Sequence, residues 1–176
     1  FLVIATQNPI EQAGTYKLPE AQLDRFMIKT SIGYPSLAVA ERILAGDVDR
    51  NPSGKLSPVI TTKAVADMAD LAATVHVDPA VARYAAQLVE ATRESDATKL
   101  GVSVRGAISM MRIARVVAAS QGRHYVIPDD VKALAAPVWT HRLVLDPEAE
   151  FSGTTSESVI ERALTQVEAP LARASA

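Results

Sequence analysis

The sequence predicts a mainly α protein, in which a short piece of an α/β core precedes a helical bundle. An uninterrupted apolar run at residues 1–5 is typical of a strand that a parallel sheet covers on both faces. The first 34 residues hold too few further elements to close a sheet. From about Thr61 onward, apolar residues recur at helical spacing instead of alternating.

The predicted organisation has three parts: an α/β core remnant at 1–34, a connecting helix and linker at 35–60, and a helical domain at 61–176. Pro19 and Glu20 suit the start of a short helix. Residues 46–54 have the polar, Gly- and Pro-rich composition of an exposed connection. The elements predicted before the helical domain are a strand at 1–5, a short helix at 18–26, a weaker strand at 27–32 and a helix at 37–45.

Four helices are predicted from capping signals and apolar spacing. Asp78 suits the N-cap of a helix at 79–94, and Gly122 suits the C-terminal cap of a helix at 103–121. Asp129 and Asp130 favour a helix that begins at Pro128, although Ile127 is a poor N-cap residue. The last helix, near 155–167, follows a Thr-Thr-Ser-Glu sequence that fits a capping box and carries its apolar residues on one stripe.

Composition excludes several classes of function. A net charge of -2 and a pI near 5.9 offer no broad positive field for nucleic acid. Without cysteine there is no disulfide framework or thiolate metal site, which fits a cytoplasmic location. No apolar run approaches the ~20 residues that span a bilayer. A start at Phe-Leu-Val-Ile without Met or a signal peptide suggests a fragment.

Asn8 is the first candidate site residue. It follows the predicted strand at 1–5, and ligands of open α/β sheets bind at the carboxyl ends of strands. Its amide could hold a ligand or a water there. The alternative is turn chemistry, because Asn before Pro is common in turns.

Arg25 is the second candidate, at the end of the short helix in Leu-Asp-Arg-Phe. A guanidinium there could reach out of its own domain to a phosphate that carries developing charge. Alternatively it complements the helix dipole and pairs on the surface with Asp24 or Glu20.

Arg105 is the third candidate, because it falls in the first turn of the predicted helix at 103–121. A cation there opposes the helix dipole, so an anion such as phosphate would compensate it. The alternative is a solvated arginine.

Other catalytic and binding motifs are absent from the sequence. The nearest match to a phosphate-binding loop, at residues 49–56, lacks the first glycine and has Leu after the lysine. No apolar run ends in Asp-Glu, and the three histidines have no ligand-like spacing, so no metal site is predicted.

The three candidate sites, in this order, resemble the plan of MoxR-family AAA+ ATPases. Residues 5–12 and 14–26 closely resemble the stretch after the Walker B strand of that family. Further landmarks of its helical lid are similar to residues 91–93, 101–105, 122–131 and 141–143. Val104 stands where the family often has Pro, and His124 where an acidic residue is frequent.

This resemblance implies roles for the three residues. Asn8 would be sensor 1, Arg25 the arginine finger that acts on a neighbouring subunit's ATP, and Arg105 sensor 2. The intact protein would hydrolyse Mg-ATP in a ring, with six subunits expected, and do chaperone-like work with a von Willebrand factor A domain partner. This stretch, without Walker A and Walker B, is expected to bind no ATP or Mg²⁺ and to be inactive alone. The alternatives are a magnesium-chelatase-type subunit and a non-enzymatic helical interaction module.

Overall fold

A computed structural model describes residues 2–7, 18–47 and 56–170. Over these residues the chain is mainly helical, with one two-stranded antiparallel sheet. In chain order the elements are α1 (Glu20–Leu23), α2 (Leu37–Leu44), α3 (Thr62–Ala73), α4 (Pro79–Arg93), β1 (Thr98–Leu100), α5 (Val104–Ser120), α6 (Pro128–Trp139), a 3-10 turn (Thr140–Arg142), β2 (Val144–Leu145), α7 (Pro147–Phe151) and α8 (Ser156–Gln166).

Side-chain caps fix where most of the longer helices begin. Thr61, Asp78 and Ser103 each accept a hydrogen bond from a backbone N–H in the first turn of α3, α4 and α5. These bonds satisfy donors that have no partner within the helix. Gly122 ends α5 with φ +72°, a conformation that favours glycine.

The core lies among α4, α5, α6 and α8. Its largest fully buried side chains are those of Trp139, Tyr84, Leu88, Met110 and Ile160. Helix α5 packs against α6 and α3, while α4 packs against α8. This body holds the start of α5 in place, together with the turn that follows α6.

The predicted fold class, mainly α, is confirmed, and so are the main helices. The two strands predicted at 1–5 and 27–32 were wrong for the residues that the structure describes. Residues 2–7 and 27–32 are not in strands there, because no strand pairs with them; residues 2–5 are exposed. An apolar run becomes a strand only when a neighbouring strand accepts and donates its ladder hydrogen bonds.

Smaller corrections concern helix starts and faces. Pro19 is the N-cap of α1 and not its first residue, and Thr155 caps α8 with Ser158 as its partner. On α5, Ile108 is exposed, whereas Met110 and Ile113 face the core. The antiparallel pairing of β1 with β2 and the short helix α7 were not predicted. They are too short to produce a clear periodic pattern.

Candidate functional site

Asp24 is the centre of a polar cluster where the N-terminal segment meets the helical body. It follows α1 directly, and its side chain is 19% exposed. Its carboxylate accepts hydrogen bonds from Ser103 Oγ at 3.0 Å and Arg105 Nη1 at 3.1 Å. Arg142 Nε lies 3.3 Å from the same carboxylate, as a close ion pair without good hydrogen-bond geometry. Three groups from the helical body therefore meet one carboxylate.

The start of α5 supplies two of these groups. Ser103 caps the helix by accepting a hydrogen bond from the Gly106 N–H at 3.1 Å while its hydroxyl donates to Asp24. Arg105 stays 56% exposed at the side chain, so the guanidinium can be reached from solvent. Asp24 thus provides the negative charge that a cation in a first helical turn requires.

The turn before Ser103 is built for close packing against α4. A Cβ atom on Gly101 would come within 2.6 Å of the Arg93 Cα, so a larger residue could not lie there without moving backbone. Thr92 Oγ1 accepts from the Val102 N–H at 3.0 Å, and Arg93 Nε donates to the Val102 carbonyl at 2.9 Å. These contacts fix the path of the chain into α5 and therefore the position of Ser103.

Arg142 supplies the third group and is almost completely buried, with 1% of its side chain exposed. Its Nη2 donates to the carbonyls of Phe26 at 2.6 Å and Asp24 at 3.2 Å. Burial lowers the pKa of the guanidinium, and the Asp24 carboxylate opposes that effect. The buried charge is therefore matched by an anion and by two backbone carbonyls.

His141 binds the same segment from the neighbouring position. Its Nε2 lies 3.0 Å from the Phe26 carbonyl, which requires the proton on Nε2. Burial lowers the pKa of His141, partly offset by the bond to Phe26. The ring is therefore uncharged at neutral pH.

Two family models match the chain. Residues 90–163 match the AAA lid domain, and residues 1–28 match the ATPase family associated with various cellular activities. The chain is 37% identical over 97% of its length to the chaperone MoxR1 of Mycobacterium tuberculosis, and 34% identical over 84% to the protein MoxR of Paracoccus denitrificans. This chain belongs to the MoxR family of AAA+ ATPases.

Two further proteins are similar to this MoxR-family chain over nearly all of its length. It is 39% identical over 98% of its length to the protein YeaC of Bacillus subtilis. A crystal structure from Cytophaga hutchinsonii, assigned as an ATPase, is similar over 97% of this chain and 54% of its own, with a TM-score of 0.85 and 34% identity. The chain spans about half the length of the curated relatives it matches, between 47% and 54% for the three proteins named here.

The structure describes two of the three predicted site residues of this MoxR-family chain. Asn8 lies outside the described residues. Arg25 is exposed directly after Asp24, and Arg105 binds Asp24. The N-terminal segment and the start of α5 therefore meet, although Asp24 and Arg105 are 81 positions apart in the chain.

Sequence reasoning did not single out Asp24 or Arg142 as site residues. Both residues lie in stretches that resemble family landmarks, Leu-Asp-Arg-Phe and His-Arg-Leu. Nothing in the local sequence reveals that Arg142 is buried, since arginine is usually exposed. The alternative role for Arg25 was a surface ion pair with Asp24. In the structure, the Asp24 carboxylate pairs with Arg105 and Arg142 instead.

Two further findings bear on cofactors and location. Across residues 2–7, 18–47 and 56–170, no three His, Asp or Glu side chains come together as metal ligands. None of the helices in the described ranges is long and apolar enough to cross a membrane.

Proposed function

We propose that this chain is the part of a MoxR-type AAA+ ATPase that responds to ATP, within a protein that hydrolyses Mg-ATP in an oligomeric ring. The observation that carries the proposal is the contact between Asp24 and the start of α5. It brings the segment that carries Arg25 against the helix that carries Arg105. The relatives named MoxR favour this family over a magnesium-chelatase-type subunit.

In this proposal Arg25 is the arginine finger. Its side chain is exposed, and its guanidinium would stabilise the charge that develops on the transferred phosphoryl group of ATP in the neighbouring subunit. Asn8 would be sensor 1, orienting the attacking water. A finger that acts in trans makes hydrolysis depend on assembly.

Arg105 would be sensor 2, contacting ATP from the lid. The start of α5 suits an anion, because it combines the positive end of a 17-residue helix with an exposed guanidinium. Asp24 already offers Arg105 one carboxylate oxygen. Binding to phosphate would therefore use the exposed donors of Arg105 or replace this contact.

ATP would bring the phosphoanhydride bond that is cleaved, and Mg²⁺ would neutralise its phosphate oxygens. The residues described here include no cluster that would hold Mg²⁺, so we propose that its ligands and the phosphate-binding loop lie elsewhere in the complete protein. The 176 residues alone are then expected to be inactive.

The proposal extends to assembly and to cellular role. A ring of six subunits, chaperone-like remodelling of client proteins, a partner with a von Willebrand factor A domain and a cytoplasmic location are all expectations of this assignment. One relative, MoxR1 of Mycobacterium tuberculosis, is named as a chaperone.

The test uses the full-length protein and separates binding from turnover. Arg25→Ala should lower steady-state ATP turnover by roughly 10³-fold or more while nucleotide affinity stays close to that of the wild type. The matched control is Arg112→Ala, since Arg112 is an exposed arginine on α5 and should leave both quantities unchanged.

Arg105→Ala tests the second role. Nucleotide-dependent closure of the lid, followed with a pair of fluorescent probes, should weaken. The proposal fails if Arg25→Ala loses nucleotide binding but keeps normal turnover per bound site, or if closure in Arg105→Ala matches that of the wild type.

A further inference from the structure

Arg25 is held from both sides by the helical body. On one side, Asp24 is bound through its carboxylate by Ser103 and Arg105, and its carbonyl accepts from Arg142. On the other side, the Phe26 carbonyl accepts from Arg142 at 2.6 Å and is 3.0 Å from His141 Nε2. Between these two anchored residues, the side chain of Arg25 is exposed.

The group that reaches both neighbours of Arg25 is fixed in place. Arg142 is 1% exposed at the side chain and lies against Gly106, where an added Cβ would approach its Cδ to 3.1 Å. It ends the 3-10 turn that follows α6, and Trp139 of α6 is fully buried with its Nε1 donating to the Gly106 carbonyl. A guanidinium held this tightly leaves its two carbonyl acceptors little freedom to shift.

We propose that His141 and Arg142 are positioning residues for the arginine finger: they clamp the backbone on both sides of Arg25 and so link its position to the start of α5. This inference rests on the proposed function, because it needs Arg25 to act on ATP. Arg142 touches no substrate in this scheme and acts through Arg25.

The same contacts couple two sites. Arg105 and Arg142 share one carboxylate, so a movement of Arg105 that weakens its bond to Asp24 also changes the surroundings of Arg142. Occupancy of a subunit's own nucleotide site, sensed by Arg105, would thereby alter the finger that the subunit offers to its neighbour. The physical element is a short ion-pair network around one carboxylate and not a long chain of contacts.

The first experiment uses the full-length protein with the substitution Arg142→Lys. Lysine keeps a positive charge near Asp24 but lacks the planar guanidinium, whose Nη2 donates to both carbonyls. We expect kcat to fall by about 10- to 100-fold, the size of effect that follows from losing one charge-assisted hydrogen bond, with KM for ATP within about threefold of the wild type. The control is Arg112→Lys on the exposed face of α5, which should change neither constant.

A double variant distinguishes positioning from general damage. If Arg142 acts through Arg25, then Arg142→Lys should lower turnover no further in an Arg25→Ala background. His141→Leu, which removes only one of the contacts to Phe26, is the second variant if Arg142→Lys folds poorly, and we expect a smaller fall in kcat with the same dependence on Arg25.

The third readout does not need ATP hydrolysis. The backbone amides of Arg25 and Phe26 donate to the carbonyls of Gln22 and Leu23, and their hydrogen exchange can be followed in the full-length protein. Hydrogen exchange at these amides should be at least about tenfold faster in Arg142→Lys, while exchange within the core of α4 is unchanged.

The outcomes separate the inference from the proposed function. Normal turnover in Arg25→Ala would overturn both. Slow turnover in Arg25→Ala combined with normal kcat in Arg142→Lys, a further loss in the double variant, or unchanged exchange at residues 25 and 26 would overturn the clamp alone.

Discussion

Adjacent residues at the junction respond differently to burial. Arg142 stays charged because a guanidinium is effectively always protonated in proteins and because Asp24 lies beside it. His141 has no carboxylate within hydrogen-bond distance among the described residues, and burial lowers its pKa from the ordinary value of 6.5. The imidazole is therefore a group in this cluster whose charge can change with pH below its ordinary pKa.

The pH dependence of stability follows from this lowered pKa. Below about pH 6.5, His141 gains a proton in the unfolded chain more readily than in the folded chain. The unfolded state therefore binds more protons. Stability from His141 is thus present above that pH and is lost as pH falls towards the lowered folded-state pKa. Between about pH 7.5 and about pH 5.5, the free energy of unfolding measured with urea should fall less for His141→Leu than for the wild type. Equal losses would contradict the prediction.

Helix α6 shows how an element can begin without a conventional cap. Ile127 has no side-chain acceptor, yet its own N–H donates to Asp130 Oδ2 at 2.9 Å. The same carboxylate accepts two hydrogen bonds from Arg123, at 2.6 and 2.9 Å, and the pair is mostly buried. These bonds also raise the pKa of Arg123. An ion pair between residues seven positions apart therefore holds the helix start.

Removing this carboxylate should destabilise α6 strongly. Asp130→Ala leaves the Arg123 guanidinium without its partner, and we expect the free energy of unfolding to fall by about 3 kcal/mol or more. The control is Asp129→Ala one residue earlier, whose pair with Lys132 is exposed to solvent and should contribute little to stability. Chemical denaturation of both variants measures the difference, and similar losses would show that the helix dipole accounts for both.

On the scale of the whole molecule, the N-terminal segment is attached to the helical body through few contacts. Besides the Asp24 and Phe26 bonds, Lys29 donates its backbone N–H to the Pro137 carbonyl at 2.9 Å. Much of the apolar surface of this segment stays open, since Leu18, Met27 and Ile28 are exposed. Polar contacts, more than apolar burial, therefore hold residues 18–30 in place.

Asp24 should then contribute to the stability of the whole chain. Asp24→Ala leaves the buried Arg142 charge without its carboxylate partner, and we expect a loss of about 3 kcal/mol in the free energy of unfolding. Glu20→Ala, on the exposed face of the same short helix, is the matched control and should cost less than about 0.5 kcal/mol. Urea unfolding of both variants measures these losses. A loss of stability in Asp24→Ala no larger than in Glu20→Ala would rule out this role for Asp24.

The sequence by itself determined the longer helices and part of their capping. Apolar spacing and local caps such as Asp78 and Gly122 act over a few residues, so they can be read without knowing the fold. It also determined the family, through runs of residues that lie close together in the chain. The roles of Asn8, Arg25 and Arg105 remain predictions.

Tertiary structure alone decided which charges meet. The partners of Asp24 come from residues 103, 105 and 142, and no local pattern encodes contacts across such separations. It also decided that residues 2–7 and 27–32 are not strands here, because ladder hydrogen bonds need a neighbouring strand. Short-range physics sets the helices, whereas long-range packing determines where a buried arginine finds its carboxylate.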